Sequence, residues 1–281
     1  MKDFCIVIPI YKEDLDIIET LSLNRTSELL NGKHYDIYFI KPQSLQNTSI
    51  YDKLEHKKMI SFDDHFFKSI ESYSQLCISY EFYNMFSEYR YLYILQLDCY
   101  LMYDEFGFWA TQDYDYIGGP VVSQSCGWDT VYRNNGKKSW RPLIGNGGFS
   151  IRKVQVFKDL CDPNGEFRKL YDIDGAIWNS IKFEDRFFCN DIHDFYELRT
   201  PQMNIASLFS WDLSPDVLYE YFGLHHWPMC FHAFDKNIRF MKAKFPEIFD
   251  KPELVEYCET KHKEFFSHYY TDDNYSTMIL M

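Results

Sequence analysis

Two segments of the chain hold residue types that chemistry needs at close quarters. Gly145-Asn146-Gly147-Gly148-Phe149-Ser150-Ile151-Arg152-Lys153 places three glycines in four positions and then runs into a short apolar strand ending in two cations. Glycine removes side chains where a backbone must approach something bulky or take positive φ. Further on, Phe183-Glu184-Asp185-Arg186-Phe187-Phe188 sets a pair of carboxylates between aromatic rings. Partial desolvation there moves a carboxyl pKa, and an acid within reach of a hydroxyl can take its proton. Together they outline a site in which Gly147 and Gly148 leave room for a sugar ring, Asp185 acts as general base and Glu184 orients. The plainer reading of the pair is a solvated helix N-terminus, where acids are common.

Two further positions suit phosphate or metal binding. Tyr91-Leu92-Tyr93-Ile94-Leu95-Gln96-Leu97 reads as a strand that ends on Asp98. Ligands of open α/β sheets bind beyond the carboxyl ends of strands, and a carboxylate there can hold a divalent cation bridging two phosphates. The alternative is an Asp that caps the next segment. Cys99 is poorly suited to magnesium or manganese, which prefer oxygen ligands. His225-His226 follow Gly223-Leu224. In an extended segment neighbouring side chains point to opposite faces, so one imidazole can reach a metal or a diphosphate while the other cannot. A structural histidine is the competing reading. Arg152 and Lys12 are the candidate sources of positive charge.

The net charge of −13 argues against a nucleic-acid partner, which needs a basic footprint. A phosphate ligand must then be neutralised locally. Aromatic residues make up 19% of the chain; most belong to a core, and the excess suits stacking against sugar rings. Met1-Lys2-Asp3-Phe4 leads into a strand rather than a secretory leader, and no run approaches the ~18 apolar residues of a membrane span. The eight cysteines form no C-x-x-C pair, which fits free thiols in a reducing cytoplasm.

These residues need a scaffold, and the chain alternates strand and helix patterns. Phe4 to Tyr11 is a continuous apolar run, as in a strand buried on both faces, with Pro9 marking its exit. Glu13 to Leu30 has helical spacing closed by Asn31-Gly32, and Asp36 to Ile40 is a second strand. Residues 43 to 65 read as irregular, Phe66 to Phe86 as one helix, and 114 to 120 as a short strand and turn. Residues 123 to 142 read as a surface loop, 153 to 161 and 236 to 270 as helical. The pattern predicts an α/β fold with a mixed, mostly parallel sheet flanked by helices, one domain over 1–235 and a helical extension over 236–281.

The run Ile6-Val7-Ile8-Pro9-Ile10-Tyr11-Lys12-Glu13, the strand end Gln96-Leu97-Asp98, Tyr114-Asp115-Tyr116-Ile117-Gly118, the glycine segment, Glu184-Asp185 and Gly223-Leu224-His225 occur in that order. Over about residues 4 to 230 this resembles a glycosyltransferase-like family long labelled only as a domain of unknown function, itself similar to nucleotide-sugar transferases of the GT-A fold. The order is also similar to that in galactosyltransferases and fringe-like enzymes. The resemblance implies an inverting transferase with Asp185 as base and Asp98 and His225 on Mn2+ or Mg2+. It implies Pro9, Tyr11 and Glu13 beside the nucleotide, and Gln96, Gly147, Gly148 and Arg152 on the donor. The implied partners are a UDP-sugar and an oligosaccharide or lipid-linked glycan acceptor, in bacterial capsule or lipopolysaccharide synthesis. The implied location is cytoplasmic, with at most peripheral contact at the inner membrane face. One departure is the Asp-x-Asp metal motif, which reads Asp98-Cys99-Tyr100. That loss favours a second reading, a catalytically silent glycan-binding or scaffold protein. A third, a sugar nucleotidyltransferase, wants a glycine-rich basic loop after the first strand, and Tyr11-Lys12-Glu13-Asp14 is not one.

Overall fold

The computed structural model describes residues 1–121, 131–134, 137–140, 143–172, 176–193, 195–211 and 222–224, with scattered positions at 243, 246, 251–254, 256 and 260. Strand β1 (Lys2–Pro9) is followed by helix α1 (Ile17–Leu30), β2 (Ile37–Pro42) and β3 (Lys57–Phe62). Helices α2 (Ile70–Cys77) and α3 (Tyr80–Met85) lead to β4 (Tyr89–Leu95), β5 (Tyr100–Leu101), α4 (Phe106–Ala110) and β6 (Tyr116–Gly118). Next come β7 (Pro120–Val121), β8 (Val131–Asn134), β9 (Lys137–Trp140), β10 (Leu143–Ile144), β11 (Phe149–Lys153) and α5 (Val154–Cys161).

The main sheet has the order β3-β2-β1-β4-β11-β6. β1 pairs in parallel with β2 and β4, and β2 with β3, while β11 runs antiparallel to both β4 and β6. The fold is therefore α/β with a mixed, mostly parallel sheet, as the residue patterns predict. Both faces of β1 are covered. Cys5 and Val7 pack with α2, α3 and α5, whereas Ile6 and Ile8 pack with α1 and α4. Each fully buried side chain of this kind stabilises by roughly 1.5–3 kcal/mol, which explains why β1 is apolar without alternation.

Helix α1 starts at Ile17 rather than near Glu13 because Asp16 caps it. The Asp16 carboxylate accepts from the Glu19 N–H (2.9 Å), and the Glu19 carboxylate accepts from the Asp16 N–H (3.0 Å). The expected helix over 66–86 is instead a turn followed by α2 and α3. Ser69 and Ser79 each accept from a backbone N–H further along, of Ser72 and Phe82, and so begin new helices. Strand β3 falls inside the stretch read as irregular; it is an edge strand carrying Lys57 and Lys58, the sort of blunted edge that shows weak alternation. Part of the expected loop over 123–142 is the hairpin β8–β9, whose sequence signal is Asn135-Gly136 between the two runs. The domain limit at residue 235 lies outside the described residues, and so does most of the helical extension. Among the described residues no helix is long and apolar enough to cross a membrane, and Cys5, Cys77, Cys99, Cys161 and Cys189 are free thiols.

Candidate active site

The chain passes from β1 to β2 on one side, then returns to place β4 on the other side of β1. In sheets with such a reversal the ligand crevice lies beyond the carboxyl ends of the strands that flank it, here β1 and β4. Buried Pro9 ends β1, and half-exposed Tyr11 and exposed Glu13 follow it. Gln96 and Asp98, both partly buried, follow β4. Burial holds the Tyr11 hydroxyl above its ordinary pKa, with the carboxylates of Glu19, Asp98 and Asp16 adding to the effect and Lys12 opposing it. Tyr11 and Asp98 thus share one electrostatic neighbourhood. Lys12, a candidate cation for phosphate, pairs with Glu19 at 2.7 Å.

The acid pair opens a short helix, Glu184–Arg186, and both side chains are buried, Glu184 at 6% and Asp185 at 8% exposure. The two carboxylates face different partners. Asp185 accepts from the Gly147 N–H (3.1 Å) and from the Arg186 N–H (2.7 Å). Glu184 accepts from the Ser74 hydroxyl of α2 (2.8 Å) and from Arg152 Nη2 (3.0 Å). Burial and the adjacent Glu184 charge push the Asp185 carboxyl up to about 7, against the pull of its two N–H donors and of Arg152. A carboxyl raised toward neutrality in this way is suited to general-base work. The pair opens a helix, as the plainer reading has it, but it is buried rather than solvated.

Arg152 sits differently from the sequence expectation of a donor-binding cation. It is fully buried beneath the glycine segment, donating to Ser150 Oγ (3.2 Å), the Tyr83 hydroxyl (3.0 Å) and Glu184. Its guanidinium is spent inside the protein. Gly147 also has a different reason to be glycine. A Cβ there would meet Glu184 Oε1 at 2.4 Å, so the space its missing side chain leaves is filled by the ion pair and not kept for a sugar ring. Glu184 is likewise turned inward, with both oxygens engaged.

The glycine segment ties the acid pair to the strand end that carries Asp98. The Gln96 N–H donates to the Gly148 carbonyl (2.9 Å), continuing the β4–β11 pairing by one step. The Cys99 N–H donates to the Gln96 carbonyl (3.0 Å) and closes the turn that bears Asp98, while the Cys99 thiol donates to Gly148 O (3.5 Å). Gly147, Gly148, Gln96, Asp98 and Asp185 therefore gather at one end of the sheet, and Arg152 lies behind them.

For a divalent cation, the residues present fit in part. Asp98 offers an oxygen donor at the crevice. Tyr100, where an Asp-x-Asp motif has its second carboxylate, is buried in β5 and pairs with Leu224 of the strand Gly223–Leu224. Among the described residues no three His, Cys, Asp or Glu side chains converge as a metal cluster. His225 and His226 lie outside the described residues. Ser74 and Tyr83 were not singled out from sequence. The only signal for Ser74 is a small polar residue on the apolar side of a helix; Tyr83 looks like any core aromatic.

The strand order and the crevice define an α/β protein with its candidate site at the topological switch point. Residues 56–232 match the family described as a protein of unknown function, DUF5672, and the chain belongs to that family. No curated protein matches it. Among solved structures it is similar to mouse xyloside xylosyltransferase 1 in the apo form, at 14% identity over 68% of this chain and 82% of that one, with a TM-score of 0.42. It is also similar to A197 from STIV, at 16% identity over 70% and 80% of the two chains, with a TM-score of 0.34. Neither likeness is close enough to carry weight, and the topology rests on the strand pairing above.

Proposed function

We propose that this protein is a GT-A-like glycosyltransferase that moves a sugar from a nucleotide donor, a UDP-sugar, to a glycan hydroxyl with inversion. The observation that carries the reading is the placement of Asp185: a buried carboxyl held by the Gly147 and Arg186 N–H groups at the same sheet end as Asp98, with burial raising its pKa. In this reading the ionised Asp185 takes the proton of the acceptor hydroxyl as its oxygen forms a bond to the anomeric carbon. The bond from that carbon to the diphosphate oxygen breaks, and UDP leaves. Tyr11 and Glu13 lie along the nucleotide, and Gln96 and Gly148 line the donor side.

Asp98 is the first candidate ligand for Mn2+ or Mg2+, and His225 the second. Leu224, one residue before His225, pairs with Tyr100, two residues after Asp98, which brings the two chain segments together. A cation there would offset the charge of the leaving diphosphate. Placement in bacterial capsule or lipopolysaccharide synthesis, in the cytoplasm or against the inner membrane face, is part of the proposal and rests on the sequence resemblance alone.

A thermal-shift screen of nucleoside diphosphates with and without manganese tests the donor class. UDP should stabilise the protein more than GDP, manganese should strengthen the effect, and Asp98→Ala should abolish that enhancement. Stabilisation by GDP alone, or undiminished manganese enhancement in Asp98→Ala, contradicts the reading.

A further inference from the structure

We propose that Arg152 is a positioning residue for the acid pair, holding Glu184 turned inward so that Asp185 alone faces the proton to be exchanged. The inference rests on the reading of Asp185 as base and assigns Arg152 a role other than ligand binding.

The geometry supports it from three directions. Arg152 is fully buried, yet three of its nitrogens have partners, from α3 (Tyr83), from β11 (Ser150) and from the acid pair (Glu184). Arginine stays protonated in proteins, so it is a fixed positive charge. Through Ser150 it also reaches Gly147. The Ser150 hydroxyl donates to the Gly147 carbonyl (3.1 Å), while the Gly147 N–H holds Asp185. One guanidinium thereby braces both the acid beside the base and the backbone donor beneath it.

The division of labour follows from the partners. Two adjacent buried carboxyls that were alike would share a proton, and neither would be a defined base. Here Glu184 has the Arg152 guanidinium on one oxygen and the Ser74 hydroxyl on the other. Among the described residues, Asp185 has backbone N–H donors, of Gly147 and Arg186, and no direct cation. The other ionisable groups near Asp185 are Tyr116 and Cys189, which burial keeps protonated well above neutrality. Among the described residues, Glu184 raises and Arg152 lowers the Asp185 midpoint, while Arg186, next in the chain, turns to Asp191 at 3.9 Å. Ser74, donating to Glu184 Oε2, acts in the same sense as Arg152.

The test uses opposite signs. Removing the Glu184 charge in Glu184→Gln leaves Arg152 uncompensated and should lower the Asp185 midpoint by about one pH unit or more. Removing the cation in Arg152→Gln leaves two bare acids and should raise it by a similar amount. The double variant Arg152→Gln/Glu184→Gln removes both charges together and should titrate between the two single variants. It also keeps the test available if Arg152→Gln alone does not fold, since paired removal strands no buried charge. Arg152→Lys, which retains charge, should hold the midpoint near that of the parent. The midpoint is read by 13C NMR of aspartate-labelled protein, with Asp185→Asn identifying the resonance, and in parallel by the pH profile of kcat.

Shifts of the same sign in the folded single variants, or a double variant that titrates no higher than Glu184→Gln, overturn the positioning role. The two readings fail separately. If Asp185→Asn remains active while the NMR shifts appear as stated, the base is elsewhere; if Asp185→Asn is inactive and the midpoint does not respond, Arg152 is only structural.

Discussion

The ion pair between Arg152 and Glu184, 3.0 Å long and almost wholly buried, occupies the place where Gly147 would otherwise carry a side chain. The glycine segment and the acid pair are thus one packed unit. A change on either side must disturb the other.

Gly147→Ala is the smallest such change. The added Cβ would lie 2.4 Å from Glu184 Oε1, too close for the pair to remain in place. Overpacking of this kind costs about 1–3 kcal/mol. Urea unfolding should show a loss in that range, with a fall in turnover because relieving the clash shifts the residue 147 N–H that holds Asp185. An alanine variant as stable and active as the parent would show that the pair has room to move.

The pair itself should be strongly non-additive. Removing one member of a buried ion pair typically costs about 3–5 kcal/mol, because the other is left as an unpaired charge. Arg152→Met should therefore be severely destabilising. Adding Glu184→Gln to it should recover part of the loss, so that the double variant is more stable than the sum of the singles implies. Denaturant unfolding of all four proteins gives the coupling. Simple additivity would mean that the two side chains do not share their energy.

The raised carboxyl of Asp185 also leaves a mark on stability. A folded pKa near 7, well above the ordinary 3.8 of an aspartate, means that the folded protein holds a proton in this window that the unfolded chain has released. Its favourable contribution is complete below the unfolded pKa and is lost as pH rises through the folded one. The stability of the parent relative to Asp185→Asn should accordingly fall between about pH 4 and 7. Thermal unfolding of the two proteins across this range measures the difference. A constant difference would place the Asp185 pKa at its ordinary value.

Much of the scaffold is readable from residues alone, and the reason is burial. β1, β2 and β4 are covered on both faces, so they appear as continuous apolar runs that stop at Pro9, Pro42 and the polar turn after Leu95. β3 is an edge strand whose lysines hide its pattern. The break between α2 and α3 depends on Ser69 and Ser79 taking backbone N–H groups, which hydrophobic spacing does not register. The acid pair is visible because two carboxylates between phenylalanines are unusual. Its partners are not. Gly147 looks like a ligand wall until Glu184 is seen to fill the space, and Arg152 looks like a surface cation until Tyr83, Ser150 and Glu184 arrive from separate elements. Contacts between distant segments decide the meaning of both residues.

Asp185→Asn tests the central claim most directly. Asparagine keeps the shape and can still accept from one of the Gly147 and Arg186 N–H groups, which sit on separate oxygens of Asp185, but it is not a base at neutral pH. General bases contribute about 10²–10⁴-fold in rate. Transfer from a UDP-sugar to acceptor, followed with UDP binding measured on the same samples, should show turnover reduced by that factor with UDP affinity nearly unchanged. Glu184→Gln should retain more activity than Asp185→Asn. Parental turnover in Asp185→Asn would contradict the account, whatever the behaviour of Glu184→Gln.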